Sequence, residues 1–458
     1  MRRFSKRVRL TLAVMALIVA ACGGDGGGAT TTAATDEGGS TTAPAGTDAP
    51  ATTASPSEDA VTLSFLYDDN PVTIATAEAL VAAFTATHPN VTFETETRPG
   101  GGEGDNLVKT RLATGEMTDV FWYNTGSLFQ ALNPTETIVP ITDEPYIENI
   151  VDSFLPTVTA EGGVYGVPSQ TAMGGGVLYN KTVYEDLGLS VPTTWEEFAA
   201  NNDAILAAGI TPVGQTYTDT WTSQLFVLAD YYNIQTQDPD WAEKYTNNQA
   251  KYVDQPALAG FEHLQEGFEK GWYQENFGST TFDDGLVLLA NGEIAHYPML
   301  TFALDAIAQN DAEAVQNIGF FGQPGNDAAT HGTTIWMPAG IYIASTSEQQ
   351  EVAKEFLAFV ASLEGVDAMT AAVAPQGPYM IEGASLPEDT LPAVLDIQAY
   401  IDAGATAPAL EFLSPIKGPN LEFLTVEVGS GLSTAADAAA LYDEDVIAQA
   451  QQLGLPGW

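Results

Sequence analysis

Across 458 residues there is one cysteine, Cys22, so no disulfide can form within the chain and its stability has to come from packing. Basic residues are scarce: five of the 14 Lys and Arg precede residue 10, leaving nine against 60 Asp and Glu, a net charge of about −51 beyond that point. So acidic a surface repels phosphate polymers and argues against a nucleic-acid partner. The charge is read as surface solvation rather than as a cation site. No G-x-x-x-x-G-K-[ST] loop occurs, so ATP hydrolysis would fall to another subunit. There is no His-Glu-x-x-His and no cysteine pair, and His88, His263, His296 and His331 are scattered, so neither metal nor cofactor is expected. Acidic pairs are too frequent to say anything about glycosidase chemistry.

What is present begins with Arg2, Arg3, Lys6, Arg7 and Arg9, followed by an apolar run from Leu10 to Ala21. A basic start, a short apolar core and small residues before a cleavage point read as a signal peptide over 1–21, and the run is too short to span a bilayer. Val19-Ala20-Ala21-Cys22 resembles a bacterial lipobox, which implies a lipidated Cys22 and anchoring through lipid alone. From Cys22 to Ala60 the chain is Gly, Thr, Ala, Ser, Pro and Asp, with too little apolar surface to fold, and is read as a tether.

The remaining 400 or so residues exceed one ordinary core and predict two lobes. Val61, Leu63, Phe65 and Tyr67 alternate as on a half-buried strand, and a helix is predicted near Thr76 to Thr87. A strand over Val91 to Thr97, a helix over Leu107 to Thr114 and a strand over Val120 to Tyr123 follow. The β-α-β-α-β order implies parallel strands with right-handed crossovers, hence an α/β lobe. Gly100-Gly101-Gly102-Glu103-Gly104 is read as a flexible loop, its carboxylate being wrong for a phosphate cradle.

The most informative words stand together between Glu161 and Phe198: Tyr165-Gly166-Val167-Pro168, Gly174-Gly175-Gly176, Leu178-Tyr179-Asn180-Lys181, Leu187-Gly188-Leu189 and Pro192-Thr193-Thr194-Trp195-Glu196-Glu197-Phe198. Thr194 and Glu197 form a capping box, and Trp195 lies on the apolar face of the helix behind it. The glycines and Pro168 suit a hinge. In this order the words resemble the first inter-lobe crossing of the extracellular solute-binding proteins of ABC importers, in the sugar-binding class related to maltose-binding protein. Phe282 to Asn291 followed by Gly292-Glu293, and Ala353-Lys354-Glu355-Phe356-Leu357 with Phe359, look like further words of that family.

The resemblance implies a class II periplasmic-binding-protein-like fold: two discontinuous α/β lobes joined by a three-segment hinge. Lobe 1 is placed at 61–168 and 299–345, with Ile318–Phe321 and Gly340–Ala344 among its strands. Lobe 2 is placed at 169–298 and 346–458. It also implies no catalysis, a carbohydrate ligand, ABC permease subunits as partners, a monomer, and a place on the outer face of the cell membrane.

Sugar recognition needs flat aromatic faces for C–H groups, with carboxylates and amides for hydroxyls. Where the resemblance puts the cleft, the candidates are Tyr67, Asp68, Asp119, Trp122 and Tyr123 with Asn124 to Ser127, and Trp336. From the other lobe and the hinges come Gln170, Trp221, Trp272, Met299 and Tyr379 with Gln376-Gly377-Pro378. Each isolated aromatic is equally a packing residue. Two alternatives stay open: a polyamine or other small solute in the same fold, and a secreted glycan-acting enzyme.

Overall fold

The computed structural model describes residues 60–458; the expected signal peptide, Cys22 and all of the tether but Ala60 lie outside the described residues. Strand β1 (Val61–Asp68) runs parallel to β2 (Val91–Arg98) and to β3 (Val120–Asn124). Ala339–Ile343 then pairs antiparallel with β3, Gly340 opposite Tyr123, and Gly166–Pro168 closes the order β2-β1-β3-(339–343)-(166–168). Helix α1 (Pro71–Thr87) starts directly after β1 because Asn70 accepts the Val72 N–H and Pro71 fills the first helical position.

The acidic glycine run is not a loop: α2 spans Gly101–Thr114. Gly104 packs so closely on Pro99 and the Arg98 guanidinium that a Cβ would collide with both. Close approach, rather than flexibility, explains that glycine.

In a second sheet Met173–Asn180 is central, antiparallel to Ile294–Leu300 on one side and to Ile318–Gly322 and Thr333–Trp336 on the other. Thr211–Val213 and Thr406–Pro408 form its two edges. Three expectations are thereby corrected. Ile318–Gly322 belongs to the second sheet, where Phe321 packs on Tyr179, Phe198 and His296. The chain returns to the first sheet across Met337-Pro338, not at Met299, since Met299 and Leu300 still pair with Gly176 and Gly175. Helix Gln350–Val360 packs on the first sheet, Phe356 lying edge-on to Phe65, Phe84 and Phe93, and Leu363–Ala372 packs beside it on α1. Apolar period identified these elements correctly but is silent on which of two sheets receives them.

Three connections still join the sheets: 169–172, Met337-Pro338, and the stretch between Ala372 and Pro392. The Thr194/Glu197 capping box forms, and Trp195 stacks on His263 at 3.6 Å while its Nε1 donates to Glu266. The Ser347 hydroxyl donates to Asp119 Oδ1 (2.7 Å).

Candidate functional site

Parallel strands leave their carboxyl ends open to ligands. Those of β1 and β3 deliver Asp68 and Asn124, and the chain after β3 turns sharply: Thr125 donates to Met337 O (2.6 Å), and Gly126 has φ +63°. A side chain at Gly126 would come within 2.7 Å of Glu411 O and the Phe412 ring, so the short helix Gly126–Gln130 and the segment around Glu411 touch directly. Beside that contact lies a cavity of about 600 Å³. Lys109, Asn124, Thr125, Ser127 and Pro338 line one wall, and Gln224, Glu411, Phe412, Lys417 and Glu422 the other.

Trp336 is buried against Ala409 and Phe412 and touches the cavity only through the wall residues Glu411 and Phe412. Its Nε1 donates to Glu411 Oε1 (2.7 Å), and Lys417 Nζ reaches Glu411 Oε2 at 3.1 Å. One carboxylate thus fixes both an indole and an ammonium. The ring lies against Gly175, where a Cβ would run into it. The glycines read as a hinge therefore sit in the middle of a strand and make room for an aromatic side chain.

Toward the hinge, Trp221 is 36% exposed and packs on Phe282 (5.2 Å) and Phe302 (6.1 Å), an aromatic shelf continuing to Asp305. Asp305 accepts from Gln376 across the hinge; burial raises its pKa, and that amide only partly offsets the rise. Gln170, Gln376 and Tyr379 line a small cavity there with Val72 and Met369, and the Tyr379 hydroxyl bonds to Thr370 (2.6 Å).

The sequence candidates thus divide. Asp68, Gln170, Trp221, Trp336 and Tyr379 lie at the strand ends, the shelf and the hinge. Tyr67, Trp122, Tyr123 and Met299 are buried in the core; Trp336 and Tyr379 are buried too, and among the aromatic candidates Trp221 alone is open to solvent. Trp272 is fully buried under the second sheet, its Nε1 donating to Asp203 at 3.1 Å. Asp119 sits at the amino end of β3, opposite the cleft, and ties strands and helix together by accepting from Ser64 N, Ser64 Oγ and Ser347 Oγ. Burial alone would raise its pKa, but those bonds hold it below the ordinary carboxylate range. Sequence reasoning missed Lys109, Gln224, Glu411, Lys417 and Glu422. They come from α2, from the turn Thr220–Gln224 and from the proline-containing stretch 410–422, none with a local pattern that marks a cleft.

Among the described residues no group of three metal-binding side chains occurs, and no helix is long and apolar enough to cross a membrane. The sequence model of the bacterial extracellular solute-binding proteins matches residues 69–367, and the chain belongs to that family, one of extracytoplasmic binding proteins rather than enzymes. A "Multiple sugar-binding protein" of Streptococcus mutans serotype c is 28% identical over 331 residues, 71% of this chain and 75% of its own. Among solved structures, the binding protein MsmE of Bacillus subtilis in an open conformation superposes with a TM-score of 0.72 at 17% identity, covering 86% of this chain and 98% of that one. The solute-binding protein RafE in complex with raffinose gives 0.68 at 21% identity, covering 86% and 99%. These likenesses establish the fold as the two-lobe periplasmic-binding type.

Proposed function

We propose that the chain captures a mono- or oligosaccharide between its lobes and delivers it, unaltered, to the transmembrane subunits of an ABC importer. The observation that carries this reading is the cavity of about 600 Å³, whose walls offer Asn124, Ser127, Gln224 and Glu422 with the Phe412 ring beside them, and where the buried Trp336 indole fixes the wall residue Glu411. A flat apolar face beside amides, a hydroxyl and a carboxylate matches the two chemistries of a pyranose. The sugars named for the relatives point the same way. Asp68, Gln170, Trp221, Trp336 and Tyr379, with Gln224 and Glu411, form the proposed ligand set.

A polyamine fits less well, because Lys109 and Lys417 line the cavity and Glu411 already has donors on both oxygens. The same engagement leaves Glu411 no free oxygen for acid catalysis. A melting-temperature screen tests the reading: a neutral or acidic oligosaccharide is expected to raise the midpoint, whereas a rise with spermidine alone would overturn it. Incubation with oligosaccharides is expected to release no product.

The sheet memberships support lobes of 61–168 with 339–381, and of 173–336 with 392–458. Cys22 would carry the lipid that holds a monomer at the outer face of the membrane. Release of a Cys22→Ala variant into the medium is the expected outcome, and retention at the membrane the contrary one.

A further inference from the structure

Only nine Lys and Arg lie beyond residue 10, and two of them, Lys109 and Lys417, line the same cavity from opposite walls. They come from unrelated parts of the chain, α2 and the segment after Leu410–Leu413. Lys417 is paired with Glu411, whose other oxygen is taken by Trp336. Lys109 is half-buried on α2, and none of the described residues' ion pairs includes it. The acid one turn earlier, Asp105, lies toward Tyr123 and disfavours that hydroxyl's ionisation.

Closure over a neutral sugar would strip water from an ammonium that has no ion-pair partner among the described residues, and that is costly. The cavity's carboxylates are engaged elsewhere, Glu411 by Trp336 and Lys417 and Glu422 by Thr220. A carboxylate on the ligand would supply the counter-charge from the ligand itself. It would also explain why a chain so short of cations keeps two of them here, against a molecular field that otherwise repels anions. Resting on the carbohydrate reading above, we propose that the ligand is an acidic oligosaccharide, one bearing a uronic acid, whose carboxylate is received by Lys109 with Lys417 as second cation.

Calorimetric titration of the full-length protein with xylotetraose and with glucuronoxylotriose, at 50 and 300 mM NaCl, tests this. The acidic probe is expected to bind at least about tenfold tighter, the size of one charge-assisted hydrogen bond, and to weaken with salt. Galactotriose and trigalacturonate repeat the comparison for a second sugar type. In Lys109→Gln the acidic probe should lose about tenfold while a neutral probe changes less than about twofold; Lys109→Arg should restore most of the loss. Neutral probes binding as tightly as acidic ones, or an acidic affinity untouched in Lys109→Gln, would overturn the proposal and leave the carbohydrate reading standing. No heat with either class of sugar would sink both.

Discussion

At the scale of the residue, exposure separates Trp221 from the tryptophans that hold the molecule up. Trp122 is 2% exposed within β3, whereas Trp221 stands a third open on the shelf formed with Phe282 and Phe302. Trp122→Ala is expected to cost about 3–5 kcal/mol of stability, the usual range for emptying a buried Trp site. Trp221→Ala should leave the denaturation midpoint nearly unchanged and weaken sugar binding. Denaturant titration and calorimetry on the two variants check this; equal effects on affinity would contradict the assignment. From sequence the two were indistinguishable, since a Trp carries no label of which side it faces. A second prediction concerns Asp230, fully buried, with Oδ1 accepting from Asn233 and Oδ2 unpartnered. Burial pushes its pKa up to about 7, so the folded state holds a proton there that the unfolded chain releases above about 4. Stability from this group therefore falls as pH rises between those values. Asp230→Asn should raise the melting temperature at pH 8 and leave it nearly unchanged at pH 4; an equal shift at both would exclude the titration.

At the scale of the element, steric fit decides what composition left ambiguous. The words around Tyr165-Gly166-Val167-Pro168, Asn180-Lys181 and Thr194-Trp195-Glu196-Glu197 were legible because caps, prolines and periodic apolar residues act locally. Gly174 to Gly176 read as pliant in the sequence because the reasons for them, Phe320 and Ile397 at Gly174, the Trp336 ring at Gly175 and Phe321 O at Gly176, lie far along the chain. Gly175→Ala places a Cβ into that ring, and overpacking of this kind costs about 1–3 kcal/mol. Because Trp336 is the side chain displaced, affinity should fall by about tenfold or more as its bond to Glu411 is lost. Near-ultraviolet circular dichroism reports the ring, calorimetry the affinity. A variant with unaltered affinity would show that the ring's position does not matter. The lobe boundaries were misplaced for a similar reason: sheet membership of Ile318–Gly322 and of Gln350–Val360 is set by partners distant in sequence.

At the scale of the whole molecule, two sheets share three connections, one hydrophobic core cluster draws on both sheets while a second lies with the second sheet, and buried polar groups set the pH range they tolerate. His263 and His296 are enclosed in the second core, and burial lowers both to about 3, below the ordinary value of about 6.5. Each stays neutral when folded while the unfolded chain takes up a proton, so stability is lost as pH falls from about 6.5 to about 3. Asp230 works in the opposite sense over part of that range. The melting temperature should therefore fall on acidification, and more steeply in Asp230→Asn. Differential scanning calorimetry from pH 8 to pH 4 reads both slopes; a flat acid limb would contradict the histidine assignment. Net charge and composition gave the exclusions at this scale directly, whereas the cleft emerges only once residues from both ends of the chain are brought together.

The central claim is a sugar held in the cavity walled by Glu411, the carboxylate that Trp336 fixes. Isothermal titration of the protein and of Trp336→Ala against a panel of neutral and acidic oligosaccharides tests it most directly. One sugar bound per chain, with affinity reduced at least about tenfold in the variant, is the expected result. Binding that survives unchanged without the indole, or no binding by any sugar in the panel, would contradict it.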